Sequence, residues 1–176
     1  MKGSRVVVLA GALALVVGSA QAGNPPAPDD AQIAAIVVTA NQVDIDAGKL
    51  AADKSSSKEV RAFAQQMVTD HTAVNGQATQ LVTRLEVTPA QNATSHSLKA
   101  GGDQNLAALR RLDGPQFDRA YVDHEVVYHE QVIEALDTTL IPNARNAELK
   151  ELLVKVRPAF VAHLEHARHL QAALAR

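Results

Sequence analysis

The chain has 176 residues, a formal net charge of −2 and no cysteine. Without cysteine there can be no disulfides, thiol catalysis or zinc–thiolate sites, so any bound metal must take nitrogen and oxygen ligands. Acidic and basic residues are interspersed and form no basic block, so the chain lacks the electrostatic footprint of a nucleic-acid-binding protein. We therefore expect no nucleic-acid partner.

The first 22 residues have the pattern of a secretory signal peptide. Lys2 and Arg5 precede an apolar run over residues 6–17, and Ala20 and Ala22 supply the small residues that cleavage needs. The run is shorter than the roughly 20 residues that span a bilayer, so cleavage is predicted rather than anchoring. We expect a processed protein without a transmembrane segment, located in the periplasm or secreted.

The processed chain is predicted to be a single all-α domain. Residues 23–29, GNPPAPD, are proline-rich and predict a flexible, extended leader. Residues 30–176 show helical apolar periodicity and no convincing strand alternation. A chain of this size can bury a core without covalent cross-links.

Four long helices follow from the periodicity. The first is predicted from about Asp30 to Asp53, and the second opens at a capping box over residues 56–59. The third begins near residues 114–115, where a proline suits the first turn of a helix. The fourth is predicted from about Asn146 to the end of the chain.

The lengths of the connections predict how these helices pair. The links at 54–56 and 141–146 allow only tight antiparallel turns, whereas residues 86–114 are long enough to cross the bundle. That crossover includes a short helical piece around residues 106–112. Two antiparallel hairpins joined by one long crossover form a ferritin-like four-helix bundle.

Each predicted helix carries one polar residue in the middle of its apolar stripe. These residues are Asp44, His71, His129 and His163. Pairing of the hairpins brings all four to one layer inside the bundle, where helical bundles commonly build metal sites. We therefore predict one transition-metal ion, Zn, Fe, Mn or Cu, held by the three histidines with Asp44 or Asp70 assisting.

A metal-free interpretation remains open. A lone histidine on an apolar helix face is usually a core residue that hydrogen-bonds to a neighbour. The alternative is thus a non-catalytic envelope bundle with a structural polar network and a surface that binds a protein partner. Both hypotheses need a connected network, because buried polar groups require hydrogen-bond partners. No reaction is indicated by the sequence, and metal handling or envelope stress is the role that a metal site would serve.

Several motifs also resemble a known family. They are Met67-Val68-Thr69-Asp70-His71, Phe117-Asp118-Arg119-Ala120-Tyr121 and His163-Leu164. Over about residues 30–174 the chain resembles an exported bacterial family of ferritin-like proteins of the DUF4142 type, often labelled as outer membrane proteins. The resemblance implies the fold and export but no established reaction. The family usually has glutamate where this chain has Asp44, and the paired Glu-x-x-His motifs of di-iron bundles are absent, so oxygen activation at two irons is not expected.

Overall fold

The computed structural model describes residues 26–176, so the predicted signal peptide and the first residues of the leader lie outside the described residues. The helices are α1 (Asp30–Lys54), α2 (Lys58–Arg84), α3 (Ala93–Leu109), α4 (Gly114–Ala135), α5 (Ile141–Asn143) and α6 (Ala147–Leu174), and a π-helical segment (Leu136–Leu140) joins α4 to α5. No strand occurs between residues 26 and 176, which confirms the predicted all-α class. Within the same range, no helix is long and apolar enough to cross a membrane.

Side-chain caps fix where the long helices begin. Asp29 caps α1 by accepting a hydrogen bond from the backbone N–H of Gln32, and Asn146 caps α6 in the same manner. Ser57 caps α2, one residue later than the predicted capping box. These caps leave only short links between α1 and α2 and between α5 and α6, so each link forces an antiparallel reversal.

The helices pair as two hairpins, α1 with α2 and α4 with α6, which confirms the ferritin-like bundle. The crossover differs from the prediction in its helical content. Its helix α3 spans 17 residues instead of a short piece around residues 106–112, and it packs along α1. Asn92 is the N-cap residue of α3, and its side chain accepts two backbone N–H hydrogen bonds, so the helix starts earlier than the apolar pattern indicates.

Two apolar clusters fill the bundle, one towards each end. The first includes Ile33, Val37, Val74, Leu136, Leu153 and Phe160. The second includes Val60, Phe63, Met67, Phe117, Tyr121 and Val122. Along each of the four long helices, at least one buried polar residue lies between the two clusters. The burial of these clusters stabilises the fold, and the polar residues between them form a separate layer in mid-bundle.

A buried aspartate ties the first hairpin to the second. Both oxygens of the Asp118 carboxylate on α4 accept hydrogen bonds, one from the Ser55 hydroxyl and the other from the Ser56 hydroxyl in the α1–α2 link. At the opposite end, the Asp30 carboxylate accepts hydrogen bonds from the backbone N–H groups of Arg145 and Asn146. The two hairpins are therefore fixed to each other at both ends of the bundle, on either side of the polar layer.

Candidate metal centre

The structure brings the four polar stripe residues together in one layer. Asp44 comes from α1, His71 from α2, His129 from α4 and His163 from α6. Their side chains are at most 3% exposed. One ring nitrogen of each histidine lies within 4.8 Å of one ring nitrogen of each of the others.

Hydrogen bonding fixes which nitrogen of His71 carries the proton. His71 Nδ1 lies 2.7 Å from the side-chain oxygen of Asn41, and the Asn41 amide nitrogen donates to the Val37 carbonyl at 2.9 Å. Because the amide nitrogen is used as a donor there, the amide oxygen faces the ring and accepts from Nδ1–H. His71 Nε2 therefore carries the lone pair.

The other two histidines are held in the same way by acceptors on the far side of each ring. His129 Nδ1–H donates to the backbone carbonyl of Glu125 at 3.0 Å, which leaves the lone pair on Nε2. His163 Nε2–H donates to the Asp70 carboxylate at 2.9 Å, which leaves the lone pair on Nδ1. An acceptor that fixes the tautomer and orientation of a ring in this way is the usual partner of a metal-binding histidine.

Asp70 lies outside the buried layer. Its side chain is 40% exposed and reaches from α2 to α6, where it contacts His163. The structure therefore places Asp70 behind a histidine ring, whereas Asp44 lies among the lone-pair nitrogens: Asp44 Oδ2 is 3.1 Å from His71 Nε2 and 3.5 Å from His129 Nε2.

The atoms that face the middle of the layer lack a fixed hydrogen-bond partner. Among the described residues, no permanent donor reaches His71 Nε2, His129 Nε2 or His163 Nδ1. The Asp44 carboxyl can donate only while it is protonated, and its one proton can serve only one of these nitrogens, the nearest being His71 Nε2 at 3.1 Å. Buried polar groups are nearly always hydrogen-bonded, and each unsatisfied one costs about 1–3 kcal/mol. Three imidazole lone pairs and a carboxylate that converge without a permanent donor match the donor set of a transition-metal site.

Two residues of the layer were missed by the sequence analysis. Asn41 holds His71, and Glu125 belongs with Asp44 and His129 to a second group whose ligand atoms lie within 4.8 Å of one another. Glu125 Oε2 is 3.5 Å from His129 Nδ1. The signal that could have found Glu125 is its i, i+4 spacing from His129, which places both on one face of α4.

Burial sets the protonation of the layer. It raises the pKa of the Asp44 carboxyl to about 8, and it raises the pKa of Glu125 with a further contribution from the charge of Asp44. Burial, together with repulsion from neighbouring histidines, lowers the pKa of His71 to about 2 and that of His129 to about 4. Burial also lowers the pKa of His163. The rings are therefore neutral at pH 7, which is the state in which imidazole binds a metal.

The ring of Phe160 packs against the layer on the side of the first apolar cluster. The Phe160 ring stacks on His71, with ring centroids 5.0 Å apart and an interplanar angle of 7°. An apolar cavity of about 100 Å³ lies on the same side and reaches His71 and Asn41. The histidine rings are thus held by packing as well as by their hydrogen bonds.

The fold and this layer define a class of protein: a ferritin-like four-helix bundle with histidines and carboxylates converging at its centre. The chain belongs to the family described as "Domain of unknown function (DUF4142)", whose pattern matches residues 16–170. Among solved structures it is similar to "CopM in the Cu(II)-bound form", with a TM-score of 0.67 and 15% identity over 84% of this chain and 99% of that chain. At this identity the likeness shows the fold alone. No curated protein matches the chain.

Proposed function

We propose that this protein is an exported metal-binding protein whose bundle holds one divalent transition-metal ion. His71, His129 and His163 would supply nitrogen ligands, and Asp44 would supply a carboxylate oxygen. Asn41, the Glu125 carbonyl and Asp70 would orient the three rings in that order. Metal handling in the cell envelope is the role that such a site serves.

One observation carries this proposal. Each of the three rings donates its N–H to an acceptor at the periphery, and its second nitrogen is buried and meets no permanent donor in the described chain. The single proton that Asp44 can carry serves at most one of the three nitrogens. A structural polar network would satisfy these nitrogens with donors, because each buried nitrogen that stays unpaired lowers the stability of the folded state. A bound cation satisfies all three at once.

The donor chemistry narrows the choice of metal. Imidazole nitrogens suit Zn, Cu, Fe and Ni, and affinity among divalent ions generally peaks at Cu(II). The structurally similar CopM was solved in a Cu(II)-bound form, which supports copper as the first ion to test. Zn(II) is the second, because three neutral histidines and one carboxylate also suit its tetrahedral coordination.

The competing function is a metal-free structural bundle of the envelope. The three hydrogen bonds at the periphery of the rings favour this structural function, because they give each histidine one partner within the protein. Under that hypothesis the layer would specify how the helices align, and no ion would bind there with useful affinity.

Equilibrium dialysis against Cu(II) and Zn(II), followed by elemental analysis, separates the two functions. We expect one ion per wild-type chain and none in His163→Gln. His169→Gln is the matched control, because His169 is an exposed histidine on the same helix, and it should retain the ion. A wild-type chain that binds no ion, or a His163→Gln chain that binds as the wild type does, would favour the structural bundle.

Export is tested separately by the mass of the mature chain. The small residues at positions 20 and 22 predict that the exported protein begins at Gly23. Recovery of an intact amino terminus from the envelope fraction would contradict processing without bearing on the metal site.

A further inference from the structure

The apolar cavity beside the polar layer is retained although the fold has simple means of closing it. It measures about 100 Å³, and residues of the four long helices, of α3 and of the π-helical segment line it. Protein interiors normally pack without voids of this size, and an unfilled void lowers stability. Ala40 and Ala135 are among the lining residues, so one larger side chain at either position would occupy the space.

The backbone is irregular at the same place. Leu136 and Leu140, the first and last residues of the π-helical segment, are both buried and both line the cavity. π-Helical turns are rare in proteins and occur frequently at functional sites. The irregular turn is an observation independent of the cavity's volume, and it marks the same part of the bundle.

The lining of the cavity suits an apolar ligand. Little of its surface is polar, and its inner polar groups are already engaged. The Asn41 amide donates to a backbone carbonyl and accepts from His71 Nδ1–H, while His71 Nε2 faces Asp44. The Tyr128 hydroxyl donates to the Ala40 carbonyl at 2.9 Å. A polar molecule would find few partners there and would lose its hydrogen bonds to water, whereas an apolar molecule has none to lose.

The cavity opens towards solvent between α3 and α4. Thr94 and Leu98 of α3 and Gln131 of α4 line both the cavity and an adjoining surface groove. Thr94 and Gln131 are exposed, and Leu98 is half-buried. A ligand therefore reaches the cavity from this groove past Leu98, without crossing the polar layer.

From these features we infer that the cavity is a binding site for a small, uncharged, apolar molecule of a few heavy atoms. An engineered apolar cavity of about 150 Å³ binds benzene or xenon, and the present cavity is somewhat smaller. The inference goes beyond the proposed metal site and does not depend on it, because the ligand is held by apolar contacts alone.

Xenon and propane are the probes, and the methyl groups of the protein report where they bind. Methyl NMR spectra are recorded under increasing gas pressure in the presence of EDTA, so that no metal contributes. We expect saturable shifts for the methyl groups of Leu136, Leu140 and Val156, which line the cavity. The methyl groups of Val60 and Val122, in the second apolar cluster, should not shift.

Ethanol tests the chemistry of the lining. It differs from propane by a hydroxyl in place of one methyl group, so the two probes have nearly the same size. Burial of a hydroxyl without a hydrogen-bond partner is costly, and ethanol should bind at least about fivefold more weakly than propane. Ethanol that binds as tightly as propane would overturn the assignment of an apolar ligand.

Substitutions that fill the cavity locate the site. Ala135→Leu should abolish the saturable shifts with xenon and propane. Ala100→Leu is the matched control, because Ala100 is an exposed alanine on α3 that does not line the cavity, and it should bind both probes as the wild type does. If Ala135→Leu does not fold, as judged by circular dichroism, Leu98→Phe is measured instead; it narrows the mouth at a half-buried position, and the same loss is expected.

Shifts that do not saturate in the wild type, or shifts of equal size in the wild type and in the filled variant, would overturn the inference. These results leave the metal site untouched, because they are obtained without metal. A protein that binds neither Cu(II) nor Zn(II) but saturates with xenon would refute the proposed function and support the apolar site.

Discussion

Replacing His129 by alanine should abolish the stabilisation that a bound metal gives the fold. His129 is 1% exposed and belongs to both groups of potential ligand atoms, so its removal takes one potential ligand from each. A ligand that binds only the folded state adds about 2.7 kcal/mol when its free concentration is 100 times Kd. For a domain of this size, each 1 kcal/mol shifts Tm by about 2–4 °C. The wild type should therefore melt about 5–11 °C higher with Zn(II) than with chelator.

The assay is thermal unfolding followed by circular dichroism, with excess Zn(II) or with EDTA, for the wild type, His129→Ala and the control His169→Ala. His129→Ala also opens a cavity in the buried layer and lowers Tm without metal, so the quantity compared is the metal-induced shift within each variant. We expect this shift to vanish in His129→Ala and to persist in His169→Ala. Equal shifts in the wild type and His129→Ala would refute the assignment of His129 as a ligand.

Three further predictions follow from the same layer and from the packing of α3. Burial raises the pKa of Asp44 from 3.8 to about 8. Between these values the folded state keeps a proton that the unfolded chain has released. The contribution of this proton to the free energy of unfolding is complete below pH 3.8 and is lost as the pH rises through about 8. Metal-free protein should therefore lose stability between pH 7 and 8.5, by at most about 1.4 kcal/mol per pH unit per proton, and urea denaturation that shows a flat or rising stability would contradict this. Asp70→Ala removes the acceptor that lies 2.9 Å behind the His163 ring and should weaken Zn(II) binding about tenfold. An unchanged Kd in dialysis would show that Asp70 does not support the site. A Cβ at Gly102 would lie 2.8 Å from Val43, but one at Gly101 would meet nothing within 4 Å, so hydrogen exchange should show α3 loosened in Gly102→Ala and protected in Gly101→Ala, and the reverse order would show that α3 does not pack closely on α1.

The bundle could be predicted because its long helices have strong apolar periodicity. The stripes of α2, α4 and α6 each run through a histidine to a second apolar cluster, and the caps lie within about one residue of their predicted places. Helix α3 could not be predicted in full, because its sequence is polar and contains Gly101 and Gly102, which lower helix propensity. It forms because Asn92 caps it and because α1 offers a second face for packing.

From the sequence, a residue could be predicted to belong to the polar layer only if it interrupts an apolar stripe. His71 and His129 stand alone among apolar neighbours at helical spacing, and this contrast singles them out. Glu125 and Asn41 give no such contrast, because acidic and amide residues near the edge of a stripe are usually solvated. Their burial depends on how closely the four helices approach one another in mid-bundle, which is a property of the tertiary structure. The i, i+4 spacing of Glu125 and His129 shows that they share a face of α4 but not that this face is buried.

The most direct test of the central claim is the metal content of the protein purified from its native compartment, combined with X-ray absorption at the edge of the metal that is found. We expect one transition-metal ion per chain, with nitrogen ligands at about 2.0–2.1 Å and the multiple-scattering pattern of about three imidazoles. Protein that carries no stoichiometric metal, and that binds none when Cu(II) or Zn(II) is supplied, would contradict the account and favour the structural bundle.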